Sequence, residues 1–358
     1  MTRGLSRLAV VLVGLLAMLA VAGPAAAHVG GEEAGSDFDG RIVSVTPEVP
    51  GLTVRVLQFG DEFELVNETS IEVVVPGYSD EPYLRIGPNG VWRNANSPAT
   101  YLNLDRFGQA QPPEHADADA EPDWQQVSTQ PQYVWHDHRT HWMSENLLPP
   151  AVQADPTRAH TVAEWTVPLV HGDTAVSVDG VLTWTPPPSP GLTWPVYVGL
   201  VLVAVAAGLL ARTARPLGVL MAVGAVAALW HAVATPEPPA SIASHAGALV
   251  SALLPAGTAV IVAAVGVRAA RRGQGAMAGL MAVVLGWLFM VQGLPDLDVL
   301  WSANVASQGP QVLARGAVAL LVAFGIGLVI GGIAAVRRFR ESGAPRGGTR
   351  ERTPVPVG

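Results

Sequence analysis

Leu182-Thr183-Trp184-Thr185-Pro186-Pro187-Pro188-Ser189-Pro190-Gly191-Leu192-Thr193-Trp194-Pro195-Val196-Tyr197-Val198 is the stretch in which the chain changes solvent. Before it, short β-type runs alternate with turn residues. After it, apolar runs of membrane-spanning length begin. The Pro186–Pro190 run cannot continue a sheet and favours an extended, stiff spacer. Trp194 and Tyr197 then open the first apolar run with the amphipathic rings preferred at a membrane–water interface. The boundary between two bodies therefore falls at residues 186–194.

Downstream, five runs reach the ~20 residues needed to cross a hydrocarbon core: 195–212, 216–235, 242–267, 276–294 and 312–336. Arg212 and Arg215 follow the first run, Arg268, Arg271 and Arg272 the third, and Arg337, Arg338 and Arg340 the fifth. By the positive-inside rule these ends are cytoplasmic. Five crossings then place the N-terminal domain outside the cytoplasm and the tail, 338–358, inside as a disordered segment rich in Gly, Pro, Arg and Thr. The helical domain is read as 195–337. Small residues such as Gly275, Gly279, Gly325, Gly331 and Gly332 favour close helix packing. No charged residue sits near the middle of a run, which favours an anchor over a transporter.

Upstream, Arg3 and Arg7, an apolar run from Leu8 to Ala22, and Gly23-Pro24-Ala25-Ala26-Ala27 read as a secretory signal over 1–27, with His28 as the mature N-terminus. The exported domain, 28–185, carries 24 Asp and Glu against 7 Arg. That strong acidity excludes nucleic acid as a partner and favours cations and solubility. Strands are expected at 41–45, 52–58, 62–66, 70–75, 83–86, 133–136, 161–170 and 174–185. Leu52, Val54 and Val56 alternate with Thr53, Arg55 and Leu57, and Gly60-Asp61 turns that strand into the next. The expected fold is an antiparallel sandwich, Ig- or cupredoxin-like, followed by an all-α transmembrane bundle of about five helices. Residues 94–130, rich in Asn, Pro, Asp and Ala, read as a long surface excursion.

The chain has no cysteine, so a metal site must use His, carboxylate, Met or backbone. Trp135-His136-Asp137-His138-Arg139-Thr140-His141-Trp142 places three histidines within six positions. In an extended segment His136 and His138 share a face, and His141 joins them if the chain turns after Arg139. Imidazoles suit copper or zinc. The competing reading pairs Asp137 with Arg139 and leaves the histidines capping loops. His28 offers an α-amine and an imidazole to the same ion. In the membrane half, His231 and His245 near the outer ends of the second and third runs, with Asp296 and Asp298 in an external loop, form a possible outward-facing cation vestibule.

With His28 after the signal, an exported β-domain and a helical membrane half, the layout resembles fusions of the periplasmic copper-resistance protein family with its membrane partner. That resemblance implies copper(II) held by the N-terminal histidine and a later one. Asp137-His138 is a loose counterpart of the family's Asp-x-His element, and its Ser-x-Pro segment has no counterpart after His28. The layout is also similar to uncharacterised envelope proteins of high-GC actinobacteria. The expected function is a membrane-anchored, non-enzymatic metal-binding protein for copper sensing, buffering or delivery. The alternatives are an envelope interaction protein whose β-domain docks a partner without metal, and, more remotely, a copper monooxygenase.

Overall fold

The computed structural model describes residues 34–144, 146–240 and 244–341. The signal segment and His28 lie outside the described residues, as does the tail beyond Glu341. In chain order the elements are β1 (Gly35–Ser36), β2 (Phe38–Thr46), β3 (Leu52–Leu57), β4 (Glu62–Asn67), β5 (Val73–Pro76), β6 (Pro82–Gly87), β7 (Gly90–Asn94), α1 (Ala99–Leu102), β8 (Trp124–Ser128), β9 (Gln132–His136), α2 (Pro150–Ala154), β10 (His160–His171), β11 (Thr174–Trp184), α3 (Pro190–Leu209), α4 (Arg215–Val233), α5 (His245–Arg271), α6 (Gly275–Gly293), β12 (Asn304–Val305) and α7 (Gln311–Glu341).

Every described strand pair of the N-terminal domain is antiparallel. One sheet has the order β2-β11-β10-β5-β6-β7-β8, a second has β3-β4-β9, and β1 pairs with β12 in a third. Alternation sets the register: in β11, Val176, Val178, Leu182 and Trp184 are buried between partly exposed neighbours. Phe63, Leu65 and Trp135 from the three-stranded sheet meet Leu84, Ile86, Val167, Leu169 and Val178 from the seven-stranded sheet in one core. That two-layer arrangement is sandwich-like. The region 94–130 is not an uninterrupted excursion. It carries α1 and the edge strand β8, whose backbone pairs with β7 while Gln125, Gln126 and Val127 stay exposed.

Five helices, α3 to α7, are long and apolar enough to cross a membrane. Helix α3 starts at Pro190, inside the expected spacer, because a proline in a first helical turn loses no hydrogen bond.

The chain divides into two compact units: the described residues to Thr193 together with 230–255 and 295–318, and residues 194–229, 256–294 and 319 onward. In the first unit, the segments between helices join the β-domain. Gly35 N donates to Asp298 Oδ2 at 2.8 Å, Ala303 N donates to Asp37 Oδ1 at 2.8 Å, and Arg315 donates to the carbonyls of Val299, Ser302 and Ala303. In the second unit, glycines allow backbone approach. A Cβ on Gly208 would lie 2.0 Å from Gly331 O, and one on Gly279 2.8 Å from Gly332 O.

Candidate functional site

Strand β9 carries the first histidine to its end. His136 pairs with Glu62 across β4 and Trp135 with Phe63. The chain then turns over 137–140: Thr140 N donates to Asp137 O at 3.0 Å, and Thr140 Oγ1 donates to Gly60 O at 2.5 Å. Asp137 drives the turn. Its buried carboxylate accepts Trp135 Nε1–H at 2.9 Å and the Arg139 guanidinium at 2.7 and 2.6 Å. The Asp137–Arg139 pair of the competing reading is thus present.

The turn brings His138 to His141, and the His136 ring is near enough to act electrostatically on His141. The His138 and His141 rings lie 5.6 Å apart, centroid to centroid, at 89°. Residues distant in sequence hold them. His138 stacks on Tyr78 at 5.7 Å, and its backbone N–H donates to Tyr78 Oη at 3.0 Å. Burial, with the charge of Asp137 adding to it, raises the Tyr78 phenol, which stays a neutral donor to Asn103. The Asp105 loop is closed by its own carboxylate. Desolvation opposes ionisation there, but N–H groups of Gln109, Phe107 and Ala110 hold that carboxyl below its usual value.

Backbone carbonyls fix all three imidazoles. His136 Nδ1 lies 3.0 Å from Asp61 O, His138 Nε2 3.0 Å from Asp105 O, and His141 Nδ1 3.3 Å from Trp142 O. A carbonyl only accepts, so each of these nitrogens carries the proton. The lone pair of each neutral ring is then on the other nitrogen: Nε2 of His136, Nδ1 of His138 and Nε2 of His141. His141 Nε2 is buried with no hydrogen-bond partner. Among the described residues, no three His, Asp or Glu side chains converge closely enough to hold a metal ion as they stand.

Burial lowers the His141 pKa from 6.5 to about 4, and repulsion from His138 and Arg106 works in the same direction. The folded ring binds a proton less readily than the unfolded one, so stability is full at neutral pH and falls as pH drops from about 6.5 to about 4. Below that the loss is complete, at about 3 kcal/mol. Thermal melting of wild type and His141→Gln at pH 7, 5.5 and 4 should show wild type losing stability across this window and the variant losing less. Parallel curves would contradict it.

The remaining histidines have ordinary partners: His160 Nε2 with Asp155 O, His171 Nε2 with Thr69 Oγ1, and His115 Nε2 with Tyr101 Oη. Of the four residues of the expected vestibule, two meet. His231 Nε2 lies 3.1 Å from Asp296 Oδ2 beside a cavity of about 20 Å³ lined by Thr235, Ser307 and Val318. Asp298 instead binds the β1 backbone, and His245 lies 3.4 Å from Gln308.

No protein-family model, no curated protein and no solved structure matches the chain. Its function must be read from these groups alone. Sequence reasoning found the histidines but not Tyr78, Asp61 and Asp105, which hold them. Their only sequence signal was the Gly60-Asp61 turn; Tyr78 and Asp105 had none.

Proposed function

We propose that this chain is a membrane-anchored protein whose β-domain binds one transition-metal ion, copper or zinc, through His138 and His141, with His136 as an auxiliary ligand. The domain faces outside the cytoplasm, and the protein buffers, senses or delivers the ion there. The orientation of the imidazoles carries this reading: each gives its proton to a backbone carbonyl and keeps its lone pair on the other nitrogen. Ligating histidines are held in this way, because the carbonyl fixes the tautomer and raises the basicity of the free nitrogen. The depressed pKa of His141 keeps its ring neutral, the form a metal requires, at any pH above about 4. Binding would need a small closure of the His138 and His141 rings. The resemblance in layout to copper-resistance proteins favours copper over zinc.

Because segments 230–255 and 295–318 belong to the same compact unit as the β-domain, the test uses the full chain in detergent. Calorimetry with copper(II) and zinc(II) should give one-to-one binding that His138→Gln/His141→Gln abolishes and His136→Gln weakens about tenfold, the lower end of the ~10–100-fold that loss of a group supporting a metal site costs. Binding unchanged in the double variant would sink the reading. In the same cells, a membrane-impermeant maleimide should label Asp117→Cys in this cysteine-free chain; protection of that thiol until lysis would place the domain inside.

A further inference from the structure

Helices α4 and α5 leave a groove between them at their arginine-bearing ends. Its volume is about 470 Å³, and Val219, Ala222, Val223 and Val267 form its wall, with Arg215 and Arg271 at its mouth. The helices come together beside it because Gly218 has no side chain; a Cβ there would lie 3.1 Å from Ala270 Cβ. Val219 and Val223 stay exposed on the outer wall.

Both guanidiniums are exposed, and the nearby Arg212, Arg268 and Arg272 add positive charge. Among the described residues of this unit, almost nothing balances them. No Asp or Glu occurs in α4 or α5, and among the described residues of this unit Glu341 is the one acidic residue. An apolar groove on membrane-length helices, closed at one end by two guanidiniums, matches a molecule with an acyl chain and a phosphate. Guanidinium forks fit phosphate oxygens, and basic pockets between membrane helices bind anionic headgroups.

We propose that the α4–α5 groove is a binding site for an anionic phospholipid, its acyl chain along Val219 and Val223 and its headgroup phosphate between Arg215 and Arg271. Lipid retention thereby becomes a property of two side chains rather than of the apolar belt as a whole.

The test is native mass spectrometry of the full-length protein released from detergent with phosphatidylglycerol or phosphatidylcholine present. Wild type should retain phosphatidylglycerol at least about tenfold better, since each arginine near an anionic surface contributes roughly a fivefold factor. Arg215→Gln/Arg271→Gln should bring the two lipids to equality, while Arg337→Gln/Arg340→Gln, which removes equal charge from α7, should not. Ala222→Phe, which fills the groove and leaves the arginines, should also lower retention. Equal loss in the α7 variant, or a preference that survives Arg215→Gln/Arg271→Gln, would overturn the site. Displacement of the lipid by glycerol phosphate at equal concentration would overturn the lipid in favour of a free phosphate.

Discussion

Glu64→Ala is expected to destabilise the protein by about 3–5 kcal/mol, the cost of breaking a buried ion pair from one side. Glu64 is completely buried, and its position in β4 opposite Arg55 in β3 joins the two. Arg55 Nε donates to Glu64 Oε2 at 2.6 Å, and Ala240 N donates to Glu64 Oε1 at 2.5 Å. Arg55 reaches on to Pro238 O at 3.2 Å and to the exposed Glu237 at 3.1 Å, while Gln132 Nε2 donates to Ala240 O at 2.8 Å. One carboxylate thus ties the three-stranded sheet to the 237–240 segment.

Removing that carboxylate leaves a partly buried guanidinium with only the exposed Glu237 and the Pro238 carbonyl as partners, and leaves the Ala240 N–H without its acceptor. Arg55→Met/Glu64→Met should cost clearly less than Glu64→Ala, since no charge is then left uncompensated. Thermal melting measures both differences. Limited proteolysis should show the 237–240 segment cut faster in Glu64→Ala. Equal losses in the two variants would mean that the orphaned Ala240 N–H, rather than the orphaned charge, sets the cost.

That pair shows what a sequence can and cannot disclose. The alternation of Leu52, Val54 and Val56 and the turn at Gly60-Asp61 define the hairpin, and the hairpin register places Arg55 opposite Glu64. The pair was therefore within reach, but its third member, Ala240, lies 176 residues from Glu64 and has no local signal. Long apolar runs disclosed the five helices because length and hydropathy alone decide whether a helix can span. Strand β8 was hidden for the opposite reason. As an edge strand it buries little, so its residues lack the alternation that burial imposes. Pairing of β1 with β12 depends on backbone bonds between segments some 270 residues apart, at lengths too short for any pattern.

The histidine segment falls between these cases. Three histidines in six positions are visible in the sequence, but which rings meet depends on where the chain turns. The turn at Asp137 follows from partners on both sides of it, an indole and a guanidinium. Asp61, Tyr78 and Asp105, which orient the rings, arrive from other loops. Composition marks such a histidine cluster, and only tertiary contacts decide its membership.

Trp135→Ala should therefore act twice, on the core and on the site. Trp135 is 4% exposed, lies 5.0 Å from Phe63 and 6.5 Å from both Tyr83 and Tyr133, and gives its indole N–H to Asp137. Truncation to alanine removes a large ring from the centre of the sandwich and should cost about 3–5 kcal/mol. Trp135→Phe keeps most of the ring contact and loses only the N–H, while Arg139 still satisfies Asp137, so its cost should be about 1 kcal/mol. The two variants then separate packing from the turn. If the carboxylate of Asp137 holds the turn through Arg139, Trp135→Phe should keep the 1:1 metal stoichiometry expected of wild type while Trp135→Ala loses it along with the melting transition. If Trp135→Phe melts near wild type yet no longer binds, the indole N–H itself positions Asp137, and the His138–His141 pair depends on that one bond more than on the core beneath it.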